Sequence, residues 1–206
     1  GTDVPKTNNT DLRTSGWELS IGWNDRLANG IAYGAKFNIY DSRTKITRYP
    51  NNPTNSIDSY IAGCYTGEIW GYTTIGLAKT NEEMQQHLAS LPNGGQDAIG
   101  SSWAAGDIMY ADINGDGKID GGTGRLGDTG DRIIIGNSAS RYMFGLDLNA
   151  SWQGFDLRIF FQGVGKRDYW QGSYVMFGSN SSGQWHCSGL EAVHDYFRDE
   201  NTWSVK

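Results

Sequence analysis

The sequence predicts an all-β chain, an antiparallel stretch of transmembrane β-barrel wall, on three observations. Four segments alternate apolar and polar residues, glycine and aromatics dominate the composition, and short turns alternate with very long connections. Among 206 residues stand 29 Gly, 8 Trp, 11 Tyr and 7 Phe, although only 37% of the chain is hydrophobic. Aromatic and β-branched side chains suit a pleated surface. The formal net charge of −6 comes with no basic run longer than two residues. That excludes the clustered cationic face nucleic acid requires. No stretch approaches the ~18 apolar residues of a membrane helix, whereas barrel strands alternate and escape that test.

The first strand is expected over 16–25, with Trp17, Leu19, Ile21 and Trp23 on one face and Glu18, Ser20 and Gly22 on the other. The second, over 31–40, sets Ile31, Tyr33, Ala35, Phe37 and Ile39 against Ala32, Gly34, Lys36 and Asn38. The third, over 141–151, sets Tyr142, Phe144, Leu146, Leu148 and Ala150 against Met143, Gly145, Asp147 and Asn149. The fourth, over 155–164, sets Phe155, Leu157, Ile159 and Phe161 against Asp156, Arg158 and Phe160. A period of two puts alternate side chains on opposite faces. Runs of about 9–11 residues are the length of a tilted bilayer-crossing strand. Trp17, Trp23, Tyr142 and Trp152 fall near segment ends, where barrels carry aromatic girdles. Lys36, Asp147, Asp156 and Arg158 suit a watery lumen.

A soluble β-sandwich alternates as well, so the connections decide. Asn29-Gly30 closes a tight hairpin between the first two strands, and Ser151-Trp152-Gln153-Gly154 joins the last two. Between the hairpins runs a connection over 41–140, and another follows over 165–206. Short turns at one end and long loops at the other mark outer-membrane barrels, while compact sandwiches rarely tolerate such connections. Each long loop is expected to carry a short helix. Thr80-Asn81-Glu82-Glu83 and Ser188-Gly189-Leu190-Glu191 are capping boxes, the first stopped near Pro92, the second with Leu190, Val193 and Phe197 at helical spacing to about Arg198. Both ends of the chain read as cut, so residues 1–206 are expected to be one piece of a single barrel domain.

The sharpest local motif is D-I-N-G-D-G-K-I-D at 112–120, which matches the first nine positions of an EF-hand calcium loop. Asp112, Asn114 and Asp116 take positions 1, 3 and 5, and Gly117 sits where φ turns positive. Lys118 offers its carbonyl, Ile119 points inward, and Asp120 binds directly or through water. Hard oxygen ligands at this spacing suit Ca²⁺ better than Mg²⁺. Position 12 is Thr123, so the missing carboxylate must come from Asp128 or Asp131, beyond a Gly-rich insertion. The expected role of the ion is to stiffen an exposed loop. Without metal, the same run is an acidic glycine turn.

No catalytic signature occurs: His87, His186 and His194 are scattered, and no G-x-S-x-G, H-E-x-x-H or P-loop is present. An enzyme is therefore not expected. Cys64 and Cys187 show no metal-site spacing, and whether they pair is open. Trp70, Trp103, Trp170, Trp185 and Trp203 are candidates either to stack on sugars or to pack loops.

The stretches G-W-E-L-S-I-G-W at 16–23, G-E-I-W-G-Y at 67–72, G-D-I-M-Y-A-D-I-N-G-D-G-K-I-D at 106–120, D-R-I-I-I-G-N at 131–137 and G-L-D-L-N-A-S-W-Q-G-F-D-L-R-I-F-F-Q-G-V at 145–164 follow in that order. Together they resemble the SusC/RagA branch of TonB-dependent outer-membrane transporters, from about Ser15 to Asp168. The resemblance implies four strands of a barrel of about 22 strands, with the long loops extracellular and the other barrel face on membrane lipid. It implies import of oligosaccharides or peptides with a SusD-like surface lipoprotein. It also implies drive from the TonB complex through an N-terminal part lying upstream. In the family an acid and then Arg follow the aspartate-rich run closely. Here that pair is Asp131-Arg132, about eight residues late, which makes Asp131 the preferred last ligand. The competing reading is a secreted, calcium-stabilised carbohydrate-binding β module. A glycoside hydrolase needs two carboxylates flanking a sugar-sized cleft, and no pair stands out.

Overall fold

A computed structural model describes residues 8–170 and 197–198. Two long strands, β1 (Asp11–Arg26) and β2 (Ala32–Arg48), open the chain. The short β3 (Glu68–Tyr72) and β4 (Thr74–Leu77), the helix α1 (Asn81–Ala89), β5 (Ile108–Tyr110) and β6 (Arg132–Asn137) fill the long connection. β7 (Arg141–Trp152) and β8 (Phe155–Lys166) follow. The principal sheet is antiparallel in the order β1-β2-β7-β8, and β3-β6 and β4-β5 form separate two-stranded sheets. The chain forms two units, one built on the principal sheet and one on most of the connection.

The predicted strands all form, and the two tight turns lie at one end of the principal sheet, where Arg26 faces Ala32, Ala32 faces Ser151 and Ser151 faces Asp156. Gln153 and Gly154 both have positive φ, as a two-residue type I′ turn requires. β1 begins about five residues earlier than expected and β2 ends eight later. Apart from Leu12, Asp11 to Thr14 and Ser42 to Lys45 are polar throughout, so no apolar alternation was there to register.

At Asp41 the edge of β2 changes partner. Up to Tyr40 it pairs with β7. Beyond it, Thr44 and Ile46 exchange hydrogen bonds with residues 63–66: Ile46 N donates to the Cys64 carbonyl at 2.9 Å, and Thr66 N to the Thr44 carbonyl at 2.9 Å. Ile46 is buried beneath this patch. A paired Asp41–Arg141 fork seals the junction, and both residues are largely buried. Next to it Tyr142 holds φ at 53°, a left-handed conformation that costs a bulky residue energy.

In the second unit Thr80 caps α1, accepting from Glu83 N at 3.1 Å. Glu83 returns the contact to Lys79 N at 2.6 Å, one residue before the cap itself. Pro92, which lacks an N–H, follows the helix end. Met84 is fully buried with Ala78 and Met109, packed by Leu88 and Trp103. Trp103 also donates to the Gly100 carbonyl, so it is a packing residue, not a free platform for a sugar. Trp170 is exposed, while Trp185, Trp203, Cys187 and most of the helix expected over 188–198 lie outside the described residues. Its last two residues, Phe197 and Arg198, are not helical.

Candidate functional site

The register of the principal sheet sorts its side chains into two faces. Cross-strand partners share a face. Ile21, Phe37, Leu146 and Phe161 therefore form one row, flanked by Leu19–Ile39–Phe144 and Trp23–Ala35–Leu148–Ile159. The other face carries the rows Ser20–Asn38–Gly145–Gln162, Gly22–Lys36–Asp147–Phe160 and Asn24–Gly34–Asn149–Arg158. There Arg158 forks onto Asp147, its Nε 2.9 Å from Oδ2. Gly34 leaves the space that the Asn24 and Asn149 side chains fill from either side.

The apolar face is open. Leu19, Ile21, Trp23, Leu157 and Phe161 are 46, 57, 63, 60 and 53% exposed. A sandwich would bury this face under a second sheet. An apolar surface of this extent marks a membrane or partner contact. Among the described residues no helix is long and apolar enough to cross a membrane, which leaves strand crossing untouched.

One solved structure shares the fold of this chain. The structure of the RagAB peptide transporter matches 96% of this chain with a TM-score of 0.58 at 15% sequence identity. The likeness is one of fold. This chain covers 20% of the solved chain, about a fifth of its length. No family model and no curated protein matches the sequence.

The aspartate-rich loop is the second candidate site. Asp112 lies at its centre: Oδ1 accepts from Gly115 N at 2.6 Å and Asp116 N at 3.2 Å, and Oδ2 from Gly117 N at 2.8 Å. Gly115 and Gly117 have φ of 75° and 81°, which let the backbone wrap its first carboxylate. Asn114 accepts from Asp116 N, and Asp116 from Lys118 N. Ile119 is fully buried, as its inward position requires, and its N–H bonds the Gly95 carbonyl at 2.7 Å. The glycine-rich excursion loops out and closes, because Asp131 N donates to the Asp120 carbonyl at 2.9 Å.

Asp131, not Asp128, returns to the loop. Its carboxylate is fully buried and accepts from Ile113 N at 2.8 Å, Asn114 N at 3.4 Å and Asp120 N at 2.9 Å. Asp128 instead closes the excursion itself, accepting from Thr123 N at 3.2 Å. The donor chemistry, oxygens throughout, fits a hard cation. The arrangement is nonetheless satisfied from within: among the described residues no three acidic, His or Cys side chains converge as a ligand group. The Lys118 ammonium sits 2.5 Å from Asp120 Oδ2. That contact, with a weaker one from Gly122 N–H, holds the Asp120 carboxyl below the usual carboxylate range.

Two devices escaped the sequence. Gln96, fully buried, accepts from Tyr110 N at 2.7 Å and donates to the Ile108 carbonyl at 3.1 Å, which makes His87 Nε2, 2.9 Å from its carbonyl oxygen, a donor. No local pattern marks such a clamp. Asp41 and Arg141 were legible only as charges at the ends of apolar runs.

Proposed function

We propose that this chain is a wall segment of an outer-membrane β-barrel transporter, with the apolar sheet face on lipid and the polar face on the lumen. On this reading the transporter imports oligosaccharides or peptides with a SusD-like surface lipoprotein, and TonB drives it through parts of the protein outside this chain. The segment itself performs no chemistry. One observation carries the proposal: the uncharged residues of four strands fall in unbroken rows on one exposed face.

The spacing supports it. Asp41 and Asp25 are the charges that bracket those rows, on the rows Trp17–Asp41 and Asp25–Tyr33. Eight residue steps separate the two rows, about 27 Å along the strand at ~3.4 Å per residue. A tilt of ~40° brings that to about 21 Å, near the ~25 Å apolar band of a barrel. Trp17 and Tyr142 lie at one end of the band, and Trp23, Tyr33 and Trp152 towards the other. The test is cysteine labelling in the full-length protein in native membranes. A water-soluble maleimide is expected to label Asn38→Cys and to leave Phe37→Cys unlabelled until the membrane is dissolved in denaturant. Equal labelling of both, or the reverse order, rejects a lipid-facing apolar side.

The same reading gives the loop a structural calcium ion, held by Asp112, Asn114, Asp116, the Lys118 carbonyl, Asp120 and Asp131. Such an ion supplies rigidity, and Asp120 must exchange the Lys118 ammonium for it. Without calcium, Asp120 has a folded pKa below its ordinary 3.8. Its contribution to loop order is therefore complete above that value and lost as the pH falls through the lower, folded one. Protease resistance of the loop is expected to hold from pH 7 down to about pH 3.8 and to fade as the pH falls further, through the lower folded value. At pH 7, about 1 mM calcium is expected to slow cleavage further and to release heat in titration calorimetry. No heat and no protection at that concentration reject the ion.

A further inference from the structure

On β1 and β2 the apolar face of the sheet continues past its apolar rows. Beyond Trp17–Asp41, pairing sets Ser15 opposite Arg43 and then Arg13 opposite Lys45, each row on the face that carries Trp17, Leu19 and Ile21. Tyr65 bridges to Lys45 and extends the second row. The register is regular over these rows, its one irregularity lying between Asp11 and Leu12. Arg13, Arg43 and Lys45 are all exposed, and among the described residues none of them forms an ion pair. Carboxylates near them are engaged elsewhere: Asp41 is forked by Arg141, and Glu68 accepts from Tyr65 N at 3.0 Å. Like charges directly opposite one another weaken a strand pair. Arg13 faces Lys45 even so, and Arg43 adds a third positive charge one row nearer the apolar band. The Arg43 guanidinium carbon stands 3.9 Å over the Tyr65 ring. Stacking occupies the flat face of the guanidinium and leaves its N–H edge, which can grip a phosphate through two parallel hydrogen bonds.

We infer that Arg13, Arg43 and Lys45 hold the phosphate of an anionic lipid headgroup, at the end of the strands away from the tight turns; the inference rests on the transporter reading above, which sets this face against lipid. Height selects a lipid as the source of the anion. Two residue steps separate Trp17 from the Ser15–Arg43 row, and four separate it from Arg13–Lys45. At ~3.4 Å per residue and a tilt of ~40°, those rows stand about 5 and 10 Å above Trp17. A headgroup layer is about 5–8 Å deep on each side of the hydrocarbon. Arg and Lys stems lie along apolar surface and carry their charges back towards that layer. A lipid satisfies the whole face at once, with acyl chains along Leu19, Ile39 and Phe144 and its phosphate at the cations above them. A soluble anion or an acidic protein would satisfy the cations alone.

The test is native mass spectrometry of the full-length protein, released from dodecyl maltoside micelles that carry phosphatidylglycerol and phosphatidylcholine in equal amounts. Wild type is expected to retain phosphatidylglycerol in preference. Arg13→Gln, Arg43→Gln and Lys45→Gln are each expected to cut that preference about fivefold, the scale of one cation at an anionic membrane surface. Lys36→Gln, which removes a cation from the polar face, is expected to leave it unchanged. In lipid-free micelles Arg13→Gln is expected to melt no lower than wild type, because it relieves the facing Lys45. A lower melting temperature would assign Arg13 to the fold and overturn its lipid role. Wild-type preference in a folded variant carrying all three substitutions overturns the inference. So does an equal loss in Lys36→Gln, or a preference abolished by excess inorganic phosphate. A co-purifying protein lost from the triple variant while its lipid preference stays would give the cations to a protein partner and overturn the lipid. Flotation with phosphatidylcholine vesicles after an alkaline wash separates the two levels of the reading. A wild type that does not float overturns the transporter reading itself. One that floats but shows no preference for phosphatidylglycerol overturns the headgroup site alone.

Discussion

Leu146→Arg is expected to destabilise the full-length protein in lipid by about 2–4 kcal/mol, the cost of a guanidinium at the midplane of a barrel's outer face. Leu146 belongs to the middle apolar row, with Ile21, Phe37 and Phe161 as its row-mates. No charged residue of that face lies in its row or in either flanking row, so the new charge has no adjacent partner and must draw water or headgroups inward. Ser20→Arg is the matched control. Ser20 lies one residue from the same row, at nearly the same depth, on the face that already carries Lys36, Asp147 and Arg158. Its expected cost is below about 1 kcal/mol, as for other solvated surface changes. Urea unfolding in phospholipid vesicles measures both. Equal costs would mean that the two faces meet the same medium, and the membrane reading would fail with them.

Asp131→Ala is expected to unfasten the 112–131 loop while leaving the principal sheet intact. Each backbone N–H left unsatisfied in a buried site costs about 1–3 kcal/mol. This substitution strands the N–H groups of Ile113, Asn114 and Asp120 together. Water entering the opened loop recovers part of that, so a net loss of about 3 kcal/mol is a fair expectation. Amide exchange at Ile113 and Asp120 reads it directly, as an acceleration of at least about a hundredfold. Asp131→Asn keeps the shape and the oxygen towards Ile113 but turns an amide donor towards Asp120 N–H. It should lie between wild type and the alanine variant. An alanine variant with unchanged exchange at both amides would show that the buried carboxylate is not the fastening.

The legibility of this chain follows the range of each interaction. Trp17 to Trp23 and Phe155 to Phe161 declare their strands because a two-residue period is a local consequence of the pleat. Thr80 and Glu83 declare a helix start because capping is local as well. The loop's first carboxylate could be read because Asp112 is satisfied by amides three to five residues on. Gln96 could not be read, since Tyr110 and Ile108 reach it through tertiary packing. The short strands β3 to β6 escaped for a related reason: three to six residues with partners far along the chain leave too little period to count.

By itself the sequence determined which residues alternate, where the tight turns fall and which oxygens lie along the aspartate-rich run, because each depends on neighbours a few bonds away. The tertiary structure decided three other things. Strand register brought four apolar faces onto one side and left them uncovered. The edge of β2 passed from β7 to residues 63–66 at the Asp41–Arg141 fork. Asp131 rather than Asp128 came back to close the loop. Each depends on pairing between groups far apart in sequence, where the chain has many alternatives and only the summed hydrogen bonding and packing of the whole selects one.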